Sequence, residues 1–527
     1  MGASPFSLRE DYWETFELQN QDIEFLYNHL MEVENPLTSE ELLMALLKDR
    51  IRQEKLTIEK QRSAGGSIYL PKNHYTPGQP VIFPALGWKH GKVKAVRAGV
   101  NPDLSNFEVI QVTFDNGDMR EFACGIENHK LNQPQEISEE DGGLDFDHVI
   151  DLYKENLLER LEAGLSKKPD FIRIAGRWFP RALLVDINAG HLNLAEAVLD
   201  MAGGGPLATP SLLEQIGLST EVNSKLVEFS MNLALQEDPR FDEVGPAGEV
   251  LWFLHRLEPE GVLQIPTFLR YQELDYNPNL LSNEMLTLER KLDDELSPIS
   301  DKFPPTNEVQ LTLIFPHWRA GTLPLSPRMR HLFPTAYETP RIRFTLVDGE
   351  TNQKFPAWVV RPHRYVLGLR EWYEAKGIIP GSLIRVRKGK NPGEVIVQCD
   401  SQRGARDWIR SVLVGSDGGL VFAMLKQVVT AAYDDRMTIA VPDPDALDQI
   451  WKQAHKDHAP FERIVVNTVR ELAKLNPQSH VHASELYAAI NIIRRCPPGP
   501  ILALLASRPW FIHVGDLHFR FDDSEKP

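Results

Sequence analysis

Three pairs of arginines, Arg341/Arg343, Arg361/Arg364 and Arg385/Arg387, are spaced to sit on one edge or face of a β element. A guanidinium fork matches phosphate oxygens or the guanine edge in a major groove, so the chemistry on offer is polyanion recognition. Arg370, Lys388 and Lys390 add cations to the same stretch, and Trp372 brings a ring on which an unpaired base stacks. These residues are the candidate nucleic-acid contacts. Trp358, Tyr365 and Tyr373 offer rings for the same stacking. An aromatic in a β-barrel buries a large area, however, so a core position is the stronger expectation for each of the four.

Charge along the chain points the same way. The whole protein holds 57 Lys+Arg against 74 Asp+Glu, yet residues 313–430 hold 18 basic and 9 acidic side chains. Lys and Arg on phosphates release counterions and give sequence-independent affinity. The rival reading is a set of surface arginines paired with acids from other parts of the chain.

Other chemistry finds no support. There is no phosphate-binding Gly-x-x-x-x-Gly-Lys-Ser/Thr, no Gly-x-Gly-x-x-Gly after a strand, no His-Glu-x-x-His and no Gly-x-Ser-x-Gly. Gly203-Gly204-Gly205 precedes Pro206 without a lysine and reads as a loop. His455 and His458 stand three apart without a carboxylate cluster or cysteine beside them, and His480 and His482 share a strand face. Asp293-Asp294-Glu295 and Asp522-Asp523 read as solvated acids. No catalytic residue, cofactor or metal site is expected.

A length of 527 residues suggests several domains, and 42% hydrophobic with 25% charged residues describes an ordinary globular protein. Cys124, Cys399 and Cys496 lack metal-ligand spacing and read as reduced thiols. No apolar run reaches the ~18–20 residues of a membrane span, and Met1 to Phe6 show neither a secretory leader nor a myristoylation pattern. A cytoplasmic location without membrane contact follows as an expectation.

Periodicity sets out the elements that position these residues. An N-terminal helical region (1–66) contains Thr38 and Glu41 at capping-box spacing, and Ser63-Ala64-Gly65-Gly66 ends it. Period-two alternation over 67–135, with Asn116-Gly117 as a hairpin turn, predicts about five short strands. An acidic linker, a helix and a hairpin fill 136–190. Residues 191–262 read as three helices and a hairpin, with Thr209-Pro210 opening the second helix and Ser219 or Thr220 capping the third. Val222, Leu226, Phe229 and Leu233 then face the core, while Asn223, Lys225, Glu228 and Asn232 face outward. A linker (263–310), a basic β module (311–400), a helical connector (401–440) and C-terminal helices with a closing hairpin (441–522) complete the chain.

The order Pro-Gly-Gln-x-Val, Gly-x-Val, Val-x-Phe-x-Asn-Gly, Arg-Glu-Phe over 77–122 resembles an SH3/Tudor-type barrel. The segments ending Arg240-Phe241-Asp242-Glu243-Val244-Gly245 and Trp510-Phe511-Ile512-His513-Val514-Gly515 are similar to winged helix-turn-helix modules of the HARE type. In the basic module, a helix stopped at Gly377 and followed by Pro380-Gly381-Ser382 and a strand resembles the AbrB and plant B3 DNA-binding pseudo-barrels. These resemblances imply a multidomain α+β nucleic-acid-binding protein of transcription or genome maintenance, with DNA the expected polymer. The barrel and winged helices would hold protein partners. Two alternatives stay open: a scaffold without nucleic-acid affinity, and a Mg-dependent nuclease of restriction type using the pseudo-barrel for specificity.

Overall fold

Thr38 and Glu41 form the capping box that their spacing predicts. The Glu41 carboxylate accepts from the Thr38 N–H at 2.8 Å, and Thr38 Oγ1 accepts from the Glu41 N–H at 3.2 Å. They stand where helix α1 (Asn20–Val33) and strand β1 (Leu37–Thr38) give way to helix α2 (Ser39–Ser63). The computed structural model describes residues 12–63, 66–86, 89–101, 107–114, 117–132, 145–218, 223–299, 303–304, 306–391, 393–415, 419–457, 460–522 and 524. Expected features at Ala64-Gly65, Asn116, the linker 136–144, Ser219 or Thr220, Val222, the His455 and His458 side chains, and Asp523 lie outside the described residues. The architecture is α+β with several sheets, in two units: Met1–Asp186 with Thr220–Ser230, and Ile187–Ser219 with Met231–Pro527.

In the first unit, β2 (Ser67–Ile68), β3 (Pro80–Phe83), β4 (Lys89–Ala98), β5 (Glu108–Phe114) and β6 (Met119–Cys124) form one sheet in chain order. Tyr69, Tyr75, Val81, Phe83, Val93, Ile110, Val112 and Phe114 make its core. Helix α3 (Phe146–Leu165) and the hairpin β7 (Phe171–Ile174)/β8 (Arg177–Pro180) follow, and β1 returns to pair with β8.

The second unit begins with α4 (Ala189–Met201), β9 (Leu207–Ala208), α5 (Thr209–Ile216), α6 (Ser224–Glu237, divided between the units at Ser230), β10 (Phe241–Glu243) and β11 (Leu251–Leu254). Short α7 (Glu260–Leu263) and α8 (Asn283–Leu292) lead to a seven-stranded sheet. Its members are β12 (Glu308–Thr312), β13 (Thr322–Pro324), β14 (Arg341–Asp348), β15 (Lys354–Val360), β16 (Tyr365–Leu367), β17 (Leu383–Lys388) and β18 (Glu394–Cys399), with α9 (Phe315–Ala320) and α10 (Arg370–Lys376) between strands. The order is β12-β17-β18-β14-β15-β16-β13, parallel only at β14–β18. Gly377, at φ +61, stops α10 as the sequence predicts. A two-stranded ribbon, β19 (Ser401–Val414) and β20 (Leu420–Ala431), precedes α11 (Pro444–Asp457), α12 (Phe461–Ala473), β21 (Val481–His482), α13 (Ala483–Ile493), α14 (Pro498–Ser507), β22 (Phe511–Gly515) and β23 (His518–Phe521).

One plan occurs three times among the described residues: helix, two-residue strand, helix, helix, hairpin, with the two-residue strand paired to the second hairpin strand. Leu37 lies opposite Trp178, Leu207 opposite Trp252, and Val481 opposite Phe519. The sequence pattern shows only the second and third copies, because the β2–β6 sheet interrupts the first. Side chains confirm the equivalence. Trp178 Nε1 donates to Ser39 Oγ at 3.0 Å and Trp252 Nε1 to Thr209 Oγ1 at 3.0 Å, each hydroxyl standing at the start of the helix after the short strand. At the matching third-copy positions, Phe519 and Ala483, donor and acceptor are both gone. A polar pair inside a core is replaced cleanly only when both members go.

Four expectations are corrected. The connector 401–440 is built on the β19/β20 ribbon, because its alternating β-branched and aromatic residues satisfy a ladder. The linker 263–310 carries α8, with Met285 and Leu288 in a core. Asn232 is buried and accepts from Trp252 Nε1 at 3.0 Å, and the α6 stripe is Val227, Met231 and Leu235 with Phe229. Asp293, Asp294 and Glu295 are buried, since Arg495, with no exposed side-chain surface, donates to Asp294 at 2.6 Å and Glu295 at 2.7 Å. His317 Nε2 meets the same Glu295 oxygen at 3.1 Å, and Tyr487 donates its hydroxyl to Asp294. Burial alone raises the Glu295 carboxyl, but Arg495 and His317 outweigh it and hold it well below its ordinary range.

Arg495→Met should lower stability of the second unit by about 3–5 kcal/mol, the usual result of stranding buried carboxylates, read as a shift in the urea midpoint. Ser39→Ala should cost about 1–3 kcal/mol by orphaning the Trp178 N–H. Adding Trp178→Phe to it should cost less than the sum of the two single changes, measured as a double-mutant cycle.

Candidate nucleic-acid interface

The ten sequence-predicted contacts divide according to what each cation meets. Arg341, at the start of β14, is held at 2.8 Å from Asp242 and 3.2 Å from the buried Glu258 carboxylate. Arg385 pairs with Asp400. Arg361 donates to the Thr339 carbonyl at 2.8 Å, Arg364 to the Glu295 carbonyl at 3.0 Å, and Arg370 to the Arg319 carbonyl at 2.6 Å. Arg387, Lys388 and Lys390 are exposed, on β17 and the turn leading to β18. Trp372 is buried and donates to Asp348 Oδ2 at 2.9 Å, so it is a core residue and not a stacking platform. Trp358, Tyr365 and Tyr373 are buried as expected.

Several other cations of the basic block are neutralised within the chain. Arg319 reaches Asp445 and Asp448, Lys354 reaches Glu394, Lys376 reaches Asp348 and Glu350, and Arg410 reaches Glu485. The sequence excess therefore overstates the free charge.

Arg343 stands apart. Alternation along β14 turns Ile342, Phe344 and Leu346 into the sheet core and Arg343 to the other face, where its guanidinium lies 5.5 Å from the Phe253 ring and 5.2 Å from the Trp358 ring. Burial lowers its pKa, and among the described residues no carboxylate offsets that. It lines a cleft of about 710 Å³ together with Arg370, Lys376, Asp348 and Glu371, over an apolar floor of Phe355, Pro356, Trp358 and Leu367. The cleft unites Arg343, Arg370 and Trp372 from the predicted set and adds Lys376.

The exposed Trp408, with Lys426 Nζ 5.2 Å from its ring centroid, escaped the sequence reading because 401–440 is read there as helical. Asp417-Gly418, between two β-rich runs, is the hairpin signal that would have exposed it.

Asp242, His255 and Glu258 offer ligand atoms within 4.8 Å of one another, the geometry of a metal cluster. Arg341 already stands against both carboxylates, and His255 Nδ1 is 2.8 Å from Asp242, so the chain supplies the cation itself. Among the described residues no helix is long and apolar enough to cross a membrane. No protein-family model, curated protein or solved structure matches the chain.

Burial pushes the Glu243 carboxyl up to about 8, and burial with the neighbouring Asp242 raises Glu258 despite Arg341. Both groups bind protons more tightly folded than unfolded. Their stabilisation is complete below the ordinary glutamate range and is lost as pH rises toward about 8. The Glu243→Gln/Glu258→Gln variant should therefore lose less thermal stability than wild type between about pH 5 and 8, by up to ~1.4 kcal/mol per pH unit for each group.

Proposed function

We propose that the protein binds nucleic acid, with DNA the expected polymer, in transcription or genome maintenance, and does so without catalysis. The observation that carries this reading is Arg343, a partly buried guanidinium whose burial no carboxylate among the described residues offsets, set in a cleft where Arg370 and the acid-paired Lys376 stand with Asp348 and Glu371. Burying a charge without a counter-ion is costly, and a phosphate entering the cleft offsets that cost. Arg387, Lys388 and Lys390 add exposed cations on β17 and the turn after it, elsewhere in the same sheet module.

The domain resemblances support the reading at the level of pattern: an AbrB/B3-like pseudo-barrel for the seven-stranded sheet, an SH3/Tudor-like barrel for β2–β6, and HARE-type winged helices for the repeats. On this reading the repeats hold protein partners. Helix α14, where a groove-reading helix would stand, is buried from Pro498 to Ala503, and α6 turns Asn232 inward. The scaffold alternative draws its own support from Arg341 and Arg319, whose charges are met inside the chain. The nuclease alternative draws less, since the clustered Asp242 and Glu258 carboxylates are already met by Arg341.

Fluorescence anisotropy over a salt series tests the proposal. Wild type should bind with a steep salt slope, and Arg343→Ala/Arg370→Ala should lower that slope by about two, one for each phosphate left without its arginine. Arg385→Ala, whose charge is met by Asp400, should leave the slope unchanged. No binding to any nucleic acid at low salt would overturn the proposal in favour of the scaffold.

A further inference from the structure

The β19/β20 ribbon carries an exposed face of mixed aromatic, aliphatic and cationic character. By register Arg406 lies opposite Val428, Trp408 opposite Lys426, and Arg410 opposite Met424, so these six side chains share one face. Trp408 is 59% exposed and Val428 58%, and Arg406 and Lys426 are exposed beside them. Arg410 is tied to Glu485, which leaves Arg406 and Lys426 as the available charges among the described side chains. Neither strand contributes an acid to this face: Asp407 projects from the opposite one and accepts from the Tyr433 hydroxyl at 3.3 Å. An exposed indole among cations and aliphatic carbons is a surface for an anionic, flat ligand.

The ribbon touches the helix that lines the Arg343 cleft. Thr430, two residues beyond Val428 and so on the same side, donates its hydroxyl to the Lys376 carbonyl at 3.4 Å. Lys376 ends α10, and α10 lines the cleft with Arg370 and Lys376. From Thr430 to Lys426 the strand advances about 13 Å at its usual rise, a span that a short oligonucleotide covers.

We infer that this surface receives single-stranded nucleic acid, its phosphates on Arg343 and Arg370 and an unpaired base on Trp408. The inference rests on the nucleic-acid reading above and narrows it to a substrate class. In a duplex the π-faces of the bases are stacked on each other, whereas a single strand presents them to an aromatic platform. A base on the Trp408 ring displaces the Lys426 ammonium, which then meets the adjoining phosphate, so the cation is retained in the bound state.

The test uses the full chain with labelled oligo(dT), oligo(U) and a mixed-sequence duplex at one low salt concentration. Trp408→Ala should weaken binding of the single strands about ten-fold, within the range of one base–aromatic stack, and leave the duplex unchanged. Trp408→Phe should retain most of the affinity, and quenching of tryptophan fluorescence by oligo(dT) should be smaller in Trp408→Phe than in wild type. The DNA and RNA arms separate the two sources of the same chemistry. Single-strand binding that is indifferent to Trp408→Ala, or an equal loss for duplex, would overturn this inference and leave the nucleic-acid proposal standing. Absence of binding to all three polymers would overturn both.

Discussion

Arg495 is the point on which the second unit turns. Its guanidinium has no exposed surface and joins Asp294, Glu295 and Asn491 through direct hydrogen bonds. Through Glu295 the network reaches His317 of α9, and His317 Nδ1 meets Thr322 of β13 at 2.9 Å. Through Asp294 it reaches Tyr487 of α13. The loop after α8, the sheet and the third repeat therefore share one set of charges. Such a cluster is a weak source of net stability, since desolvation offsets most of the attraction. Its effect is positional: no partner can move without leaving a charge buried and unpaired.

The same economy governs the basic block. Arg364 donates to the Glu295 carbonyl, Arg341 stands against Asp242 and Glu258, and Arg319 holds α11 through Asp445 and Asp448. These arginines fasten elements that are distant in sequence. Arg343 differs because its neighbours on that face are Phe253 and Trp358, which offer a quadrupole and no counter-charge. Within one alternating strand, position 341 serves the fold and position 343 faces an open cleft. Spacing alone cannot separate them, since the distinction depends on which side chains the preceding repeat places opposite.

Local signals proved legible: the Thr38/Glu41 capping box, the Gly377 stop and the two interrupted-strand hairpins all rest on residues adjacent in sequence. Long-range ones did not. Asp293, Asp294 and Glu295 read as a solvated run because their neutralising Arg495 lies some two hundred positions away. Trp372 looked like a platform, yet Asp348 draws its N–H into the core. The first repeat was hidden although Arg177-Trp178-Phe179 parallels Leu251-Trp252-Phe253 and Leu37-Thr38-Ser39 parallels Leu207-Ala208-Thr209. The pairing of β1 with β8 and the Trp178–Ser39 bond bring its two halves together.

That interruption has a consequence for how the chain is made. The Trp178–Ser39 bond closes 139 residues, against 43 for the equivalent Trp252–Thr209 bond. The difference in closure entropy is only about 1 kcal/mol, but the difference in time is larger. At roughly 5–20 residues per second, a ribosome that has released α2 adds residues for about ten seconds before β8 emerges. For most of that interval the buried Leu42, Leu43, Leu46 and Leu47 wait for α3 and the hairpin. The β2–β6 sheet emerges between them, and its two ends are tied to each other, the Gly125 N–H donating to the Asn73 carbonyl at 3.2 Å and the Ile126 N–H to the Pro71 carbonyl at 2.8 Å. The insertion thus both creates the delay and shortens the search that ends it.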